Sequence, residues 1–310
     1  MPEVLCIGNI QFDVLARPVV TLPRPGTLAR VDEIRFSLGG NGMNTAAGLS
    51  RLGIPTSLFG MVSRDFLGDH ALVQLAIAGV DTAAVSRHPT AGSGVSLVAV
   101  AFDGERSITF TNGANECFRL EEVPDALLSG ARILFVGSVF VLPQLTGGAL
   151  ATLFRRARAF GVTTVLDVCW DTAGRGLRFL APCLPHTDFF APSLEEGRQL
   201  TGQDEPPAIA AALLAAGAKR VGVKLGASGC YLAGAGGTFM VPTTALDGVD
   251  TTGDGDTWMA GLVAGLLRGL LLAECGRLAN RVAAFAVTGP GCWERVPPLA
   301  SLLPLDAEGG

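Results

Sequence analysis

The sequence predicts an α/β fold in which a central, mostly parallel sheet carries helices on both faces. From about residue 130 onward, short and continuously apolar segments alternate with helical patterns. Strands buried on both faces have this composition, and successive parallel strands are usually connected by a helix. Two glycine-rich turns each run into an apolar helix, and a hairpin pattern near residues 94–111 predicts a second, smaller sheet.

The individual elements follow from residue spacing. Short apolar runs predict strands, and apolar residues at helical spacing predict helices. The predicted strands are residues 132–136, 162–166 and 221–225, and the predicted helices are residues 148–160, 194–200 and 207–216. Because ligands bind outside the carboxyl ends of the strands in such folds, we expect the functional site at that edge of the sheet.

Two segments interrupt this alternation. Residues 96–102 and 107–110 flank Asp103 and Gly104, a pair typical of a two-residue hairpin turn. The proline-rich residues 18–35 are expected to be extended. The two segments can pair into a small sheet that forms a flap over the site. An edge extension with no catalytic part is the alternative.

Composition excludes several classes of protein. The 310 residues include 23 Lys and Arg against 28 Asp and Glu, a net charge of −5, which argues against a nucleic acid partner. A hydrophobic content of 49% excludes disorder. Mean hydropathy is +0.43, yet Arg268 interrupts the apolar residues 261–272, and no segment reaches about 18 apolar residues. We therefore predict a soluble protein with no membrane partner.

Two further patterns bear on location and cofactor class. The seven cysteines are scattered and never spaced as CxxC, and no basic region precedes the first apolar segment. These features predict reduced thiols and a cytoplasmic location. The chain has no GxxxxGK[ST] motif and no GxGxxG after its first strand, which argues against a P-loop and a dinucleotide-binding site.

The sharpest motif is DTTGDGD at residues 250–256, followed by an apolar helix. The free N–H groups of a helix start and the helix dipole favour a bound anion, and glycines let the backbone approach it. Asp256 is placed to accept the proton of a substrate hydroxyl that attacks phosphorus. The alternative is an ordinary helix start with capping aspartates.

A second glycine-rich helix start is GGNGMNTAAGLSRLG at residues 39–53, and its helix is expected to end at Gly53. Asn41 and Asn44 are three residues apart, so their amides can share one face of the helix. Amides both donate and accept, which suits a ligand rich in hydroxyl groups. A structural Gly/Asn loop is the alternative.

Together the two motifs resemble the signatures of the ribokinase-like, or PfkB, carbohydrate kinases. The resemblance extends over essentially the whole chain and includes GNIQFD at 8–13, GAN at 113–115, LGASG at 225–229 and the helix at 279–288. It implies one ribokinase-like α/β domain over residues 1–310, with a discontinuous β lid formed by about 14–36 and 92–112. It also implies an ATP-dependent kinase that phosphorylates a hydroxyl of a small sugar.

The resemblance assigns roles to named residues. Asp256 would be the general base, and the backbone of Gly253, Asp254 and Gly255 would form the anion hole. The sugar hydroxyls would be held by Asp13, Gly40, Asn41 and Asn44. The nucleotide would lie near Lys224, Gly226, Gly229 and Asn280. Glu196 would organise Mg²⁺ through water, and Asp250 and Thr252 match positions that bind a monovalent cation such as K⁺ in many relatives.

Several positions depart from the family pattern, among them VSRD at residues 62–65, which replaces the usual V-G-x-D. Ser193 stands where the N-x-x-E motif has Asn, and Asn41 replaces the Lys of ribokinases proper. Asp254 occupies a position often held by Ala, so we expect its carboxylate to point away from the phosphate. None of these departures alters Asp256 or the two glycines around Asp254.

Three alternatives remain open at this point. A nucleoside kinase would need an apolar slot for the base, for which Phe12, Phe102, Phe110 and Phe140 are the candidates. A phosphorylated sugar would call for cations near the lid, where Arg35 and Arg106 are available. A catalytically silent sugar or nucleotide sensor would be expected to lack Asp256. Exposed strand edges in the lid favour a homodimer formed through it.

Overall fold

In the computed structural model, which describes residues 2–102, 106–243, 253–288 and 291–304, a nine-stranded sheet forms the centre of the protein. Its strand order is β13-β12-β11-β10-β9-β8-β1-β4-β5, and only the pairings that involve β12 are antiparallel. These strands are β1 (Val4–Ile7), β4 (Thr56–Ser63), β5 (Val85–His88), β8 (Ile133–Val139), β9 (Thr163–Val168), β10 (Phe189–Phe190), β11 (Arg220–Lys224), β12 (Cys230–Gly234) and β13 (Gly237–Val241).

Helices cover both faces of this sheet, which confirms the predicted fold class. Side chains of β1 alternate between the two cores: Val4 and Cys6 join one, and Leu5 and Ile7 join the other. The helices on the first face are α1 (Asn41–Arg51), α2 (Phe66–Ala78), α8 (Asp254–Leu267) and α9 (Leu272–Ala286). Those on the other are α3 (Asp125–Gly130), α4 (Gly147–Ala159), α5 (Gly176–Leu180), α6 (Leu194–Thr201) and α7 (Pro206–Ala215).

A second sheet of four strands lies beside the first, as predicted. Its order is β3-β2-β6-β7, from β2 (Gln11–Arg17), β3 (Glu33–Gly39), β6 (Gly94–Val100) and β7 (Arg106–Thr111). The predicted Asp103–Gly104 turn lies outside the described residues. Of the residues 18–35 expected to be extended, 33–35 belong to β3, and 18–32 form neither a helix nor a strand; three prolines there offer no N–H to a ladder.

The two helices with glycine-rich starts pack directly on each other. A Cβ atom added to Gly48 of α1 would lie 2.9 Å from the Cβ of Ala260 in α8, so glycine permits this approach. Helix α1 ends as predicted, with Gly53 in the left-handed region at φ 83°. Within the described residues, no helix combines the length and the apolar character that crossing a membrane would require.

Candidate active site

The two glycine-rich helix starts meet at a hydrogen bond between side chains. Gly40 caps α1 at φ 99°, and Gly253 caps α8 at φ 75°; both values favour glycine. Asn44 in the first turn of α1 donates from Nδ2 to Oδ2 of Asp256 in the first turn of α8, at 2.8 Å. The predicted base and a predicted sugar ligand are therefore neighbours.

Asp256 is buried and carries a strongly perturbed carboxyl group. Burial raises the pKa of Asp256 to about 6, although the Asn44 hydrogen bond and the charge of Lys224 oppose the rise. The Oδ1 atom of Asn44 is also buried and has no hydrogen-bond partner among the described residues. A buried amide oxygen without a donor is costly, and an amide oxygen of this kind can accept from a hydroxyl.

At the start of α8, where the anion hole is predicted, one of the backbone N–H groups is already engaged by a neighbouring side chain. Oδ1 of Asp254 accepts a hydrogen bond from the Gly255 N–H at 2.7 Å. The expectation that this carboxylate points away was wrong, because an aspartate at the first helical position can reach the free N–H that follows it. An incoming phosphate must displace the carboxylate to use that donor.

A cavity of about 340 Å³ opens at the α8 N-terminus, and we call it the α8 cavity. It brings together most of the predicted phosphate-side residues. Its lining includes Lys224, Gly226, Gly229, Glu196 and the residues 253–256. Gly226 and Gly229 have φ of 56° and 90°, which allow the tight turn between β11 and β12.

Glu196 and Lys224 are both held in place. Oε2 of Glu196 accepts from the Ser193 N–H at 2.7 Å, and Ser193 Oγ accepts from the Glu196 N–H, so the two form a capping box. Nζ of Lys224 lies 2.9 Å from both carboxylate oxygens of Asp167, at the end of β9. Burial alone would lower the pKa of Lys224, but the charges of Asp167 and Glu196 raise it above its ordinary value.

A second cavity, of about 390 Å³, lies between the small sheet and the carboxyl edge of the large one. We call it the lid cavity. Its polar lining includes Asp13, Gln11, Ser96, Asn9 and Asn41. Burial raises the pKa of Asp13, and a hydrogen bond with Ser96 opposes this. Because Asn41 lines both cavities, the two spaces adjoin at the start of α1.

Glycines shape the polar side of the lid cavity. A Cβ atom on Gly39 would overlap the Asp13 carboxylate, and one on Gly40 would lie 2.5 Å from the Asn9 carbonyl oxygen. The Sγ of Cys169 donates to Oδ1 of Asn41 at 3.0 Å, which orients that amide. No sequence motif pointed to Cys169, apart from its place after a buried strand.

Of the four phenylalanines considered for an apolar slot, all described, only Phe110 lines the lid cavity. Phe12 points to the other side of the small sheet, where it packs against Phe36 and His70. Phe140 packs against Phe179, and Phe102 is exposed. Strand alternation explains the difference, since Phe12 and Asp13 face opposite sides.

Some predicted residues are not brought into either cavity. Within the described chain, Asn44 and Asn280 stay outside both linings. The Oδ1 atom of Asn280 accepts from Trp258 Nε1 at 2.8 Å, and its Nδ2 donates to Val241 O at 2.9 Å. It thus orients Trp258, which does line the α8 cavity. Asp250 and Thr252 lie outside the described residues, as does the side chain of Arg106.

The model of the pfkB family carbohydrate kinases matches residues 1–298 of this chain. The chain belongs to the pfkB family. A sugar kinase of uncharacterised specificity from Archaeoglobus fulgidus is 32% identical over 250 residues, 81% of this chain and 98% of the relative. The 2-dehydro-3-deoxygluconokinase of Bacillus subtilis is 29% identical, over 90% of each chain.

Solved structures agree with the family assignment. Ribokinase of Arabidopsis thaliana, complexed with ribose and ATP, has a TM-score of 0.83 at 25% identity, covering 97% of each chain. These matches confirm the predicted enzyme class, an ATP-dependent sugar kinase. Two residues near the end of β9 in this pfkB kinase were not predicted from the sequence as site residues. Asp167 pairs with Lys224, and Trp170 lines the lid cavity.

Proposed function

We propose that this kinase transfers the γ-phosphoryl group of ATP to a hydroxyl of a small neutral sugar, with Asp256 as general base. The hydroxyl oxygen bonds to the γ-phosphorus, the bond to the β–γ bridging oxygen breaks, the hydroxyl proton passes to Asp256, and ADP leaves. The observation that carries the proposal is the 2.8 Å bond between Asn44 and Asp256. It fixes a buried base beside an amide oxygen that has no partner among the described residues.

The α8 cavity suits the phosphate side of the reaction. The backbone at 253–255 supplies helix-start N–H groups, and Lys224 supplies a positive charge. Gly226 and Gly229 let the chain approach the nucleotide closely. Glu196 adds a carboxylate to this oxygen-rich lining, and one carboxylate together with phosphate oxygens and water suits Mg²⁺. Bound Mg²⁺ would neutralise charge that develops on the phosphates. Asp250 and Thr252 remain the proposed monovalent cation ligands.

The lid cavity suits an uncharged polyol. Asp13, Asn41 and Ser96 offer donors and acceptors for hydroxyl groups, and no cationic side chain among the described residues lines this cavity. A sugar acid or a sugar phosphate would need such a cation, or would place its charge beside Asp13 at a cost. A neutral sugar with Asp13, Gly40, Asn41 and Asn44 as ligands is therefore the favoured acceptor.

A nucleoside is the second candidate acceptor, and one observation favours it. Opposite the polar side, the lid cavity has an apolar wall made by Phe110, Ile108, Val98, Val141 and Trp170. Trp170 is 52% exposed, so its ring is free to stack on a flat group. A base attached to ribose would use this wall, which a free monosaccharide leaves largely uncovered.

Assembly and location form a separate part of the proposal. The outer face of the small sheet exposes Ile34, Phe36 and Leu97, which are 60%, 63% and 57% accessible. Apolar residues in this arrangement favour burial against a second copy, so we propose a homodimer through the lid. All seven cysteines lie within the described residues and none forms a disulfide, which supports a reducing compartment such as the cytoplasm.

The test is ADP release from Mg-ATP with a panel of neutral sugars, sugar acids, sugar phosphates and nucleosides, with K⁺ present. We expect turnover on a neutral sugar or a nucleoside that is lost in Asp256→Asn. Best turnover on a sugar acid or sugar phosphate would overturn the acceptor assignment. ATP binding without turnover on any acceptor would instead favour the silent sensor.

A further inference from the structure

The ion pair between Asp167 and Lys224 is buried at the carboxyl edge of the sheet. The Asp167 side chain is 0% exposed and that of Lys224 is 12% exposed. Both carboxylate oxygens accept from Nζ at 2.9 Å, and Oδ1 also accepts from the Val168 N–H at 2.9 Å. Asp167 therefore holds the ammonium at a fixed point with both of its oxygens engaged.

Fold stability is a weak explanation for such a pair. Two charges lose their hydration on burial, and this cost commonly cancels the attraction between them. Asp167 lies near the end of β9 and Lys224 ends β11, two parallel strands with β10 between them, at the sheet edge where ligands bind in this fold class. Of the pair, Lys224 lines the α8 cavity and Asp167 lies behind it. The ammonium is thus presented to the cavity by the carboxylate.

The Lys224 ammonium lies next to the first turn of α8. A Cβ atom added to Gly255 would lie 3.6 Å from Nζ of Lys224. The charge is therefore adjacent to the helix-start backbone that offers its N–H groups to an anion. A phosphoryl group bound at that backbone would contact the N–H groups and the Lys224 ammonium at the same time.

Other carboxylates compete for the same ammonium. After Asp167, the strongest negative influences on Lys224 are Glu196 and Asp256. Glu196 is engaged by the Ser193 N–H and Asp256 by Asn44, so neither accepts from Nζ in the described structure. Asp254 adds a further negative charge near Asp256, and Cys169 is the remaining titratable neighbour of this group. Without Asp167, the ammonium would be drawn towards the base.

We propose that Asp167 is a positioning residue for phosphoryl transfer: it holds the Lys224 ammonium beside the α8 N-terminus, in contact with the transferred phosphoryl group, and keeps it from pairing with Asp256. This proposal rests on the kinase reaction given above. It assigns Asp167 a role that acts entirely through Lys224, without contact to either substrate.

The first test measures binding and needs no acceptor. The contribution of the γ-phosphate to nucleotide affinity is measured as the dissociation constant of Mg-ADP divided by that of Mg-AMPPNP. Both constants are obtained by titration calorimetry. We expect this ratio to fall about tenfold in both Lys224→Met and Asp167→Asn, the loss of one charge-assisted contact. Asp171→Asn is the matched control, because Asp171 is another buried carboxylate, paired with Arg175 away from the α8 cavity, and should leave the ratio unchanged.

The second test is a double-mutant cycle. In the Lys224→Met background, Asp167→Asn should change neither the binding ratio nor kcat further. Equal losses in both backgrounds would overturn the proposal, because Asp167 would then act independently of Lys224. If Asp167→Asn does not fold, an unchanged ratio in Lys224→Met alone overturns it.

The pH profile separates positioning from a structural role. Release of Lys224 towards Asp256 should move the acid limb of kcat to lower pH in Asp167→Asn, whereas Lys224→Met should move it to higher pH. Shifts in the same direction would contradict the assignment. Failure of the wild-type enzyme to phosphorylate any acceptor overturns the proposed function instead, and the binding ratio still tests Asp167.

Discussion

Asn44 and Asp256 are 212 positions apart in the chain, yet the amide of one donates to the carboxylate of the other at 2.8 Å. The bond joins two helices whose packing is fixed by Gly48 and Ala260. It also links a proposed ligand of the acceptor to the proposed base. Under that proposal, a single hydrogen bond connects substrate recognition with proton transfer.

Asp256→Asn should lower kcat by about 10²–10⁴-fold, because the amide cannot accept the hydroxyl proton. In the wild-type enzyme the pKa of Asp256, raised to about 6 by burial, sets an acid limb. Since the base must be deprotonated, kcat should fall as pH drops below about 6. A pH profile of steady-state turnover checks this, and a flat profile between pH 5 and 7 would exclude Asp256 as the base.

Asn44→Ala should move the same acid limb to higher pH. The hydrogen bond from Asn44 stabilises the charged carboxylate, so its loss lets the pKa of Asp256 rise further. The KM for the acceptor should also rise, since the unpartnered amide oxygen is lost. An unmoved limb with an unchanged KM would show that Asn44 is only structural.

Gly253→Ala and Gly255→Ala form a matched pair. A Cβ on Gly253 would overlap Sγ of Cys292 and require φ 75° of an alanine, which should destabilise the fold by about 1–3 kcal/mol. A Cβ on Gly255 meets only Lys224 Nζ, at an ordinary 3.6 Å. We therefore expect Gly255→Ala to keep its melting temperature and raise the KM for ATP. Equal melting temperatures for both variants would contradict the Gly253 argument.

Asp254→Ala should lower the KM for ATP several-fold. The Asp254 carboxylate occupies the Gly255 N–H and adds a negative charge where phosphate binds. Asp254→Asn is the control, because it keeps an acceptor for that N–H and removes the charge. A KM lowered equally in both variants would assign the effect to charge, and a KM raised in both would show that the carboxylate helps to bind the nucleotide complex.

Phe36→Asp should dissociate the proposed dimer. Phe36 is 63% exposed on the outer face of the small sheet, and a second copy would bury this residue. Leu271→Asp, at an exposed apolar residue before α9, is the control. Light scattering of both variants and the wild type checks the mass. A monomeric wild type would contradict the assembly.

The sequence predicted the elements and the two helix starts well, because local patterns encode them. The helix at 148–160 and the strand at 162–166 differ from the structure by two residues or fewer at their ends. It was harder to predict which side chains enter the site, because this depends on where strands end and which face each side chain occupies. Trp170 and Asp167 enter the site because β9 ends at the cavities, and Phe12 leaves it because the strand places Asp13 inward. The register of the strands determines which of these side chains lie at the site.

The contact between Gly48 and Ala260 sets which parts of this enzyme can move. This contact lies about one turn beyond the Asn44–Asp256 bond, so the two helices are joined at two points, and we expect any closing over the acceptor to involve the strands of the small sheet. Proton abstraction would then be equally well aligned in the open and the closed enzyme. Shielding from water would be the step that distinguishes them, so a loosened lid should waste ATP by hydrolysis before it slows transfer.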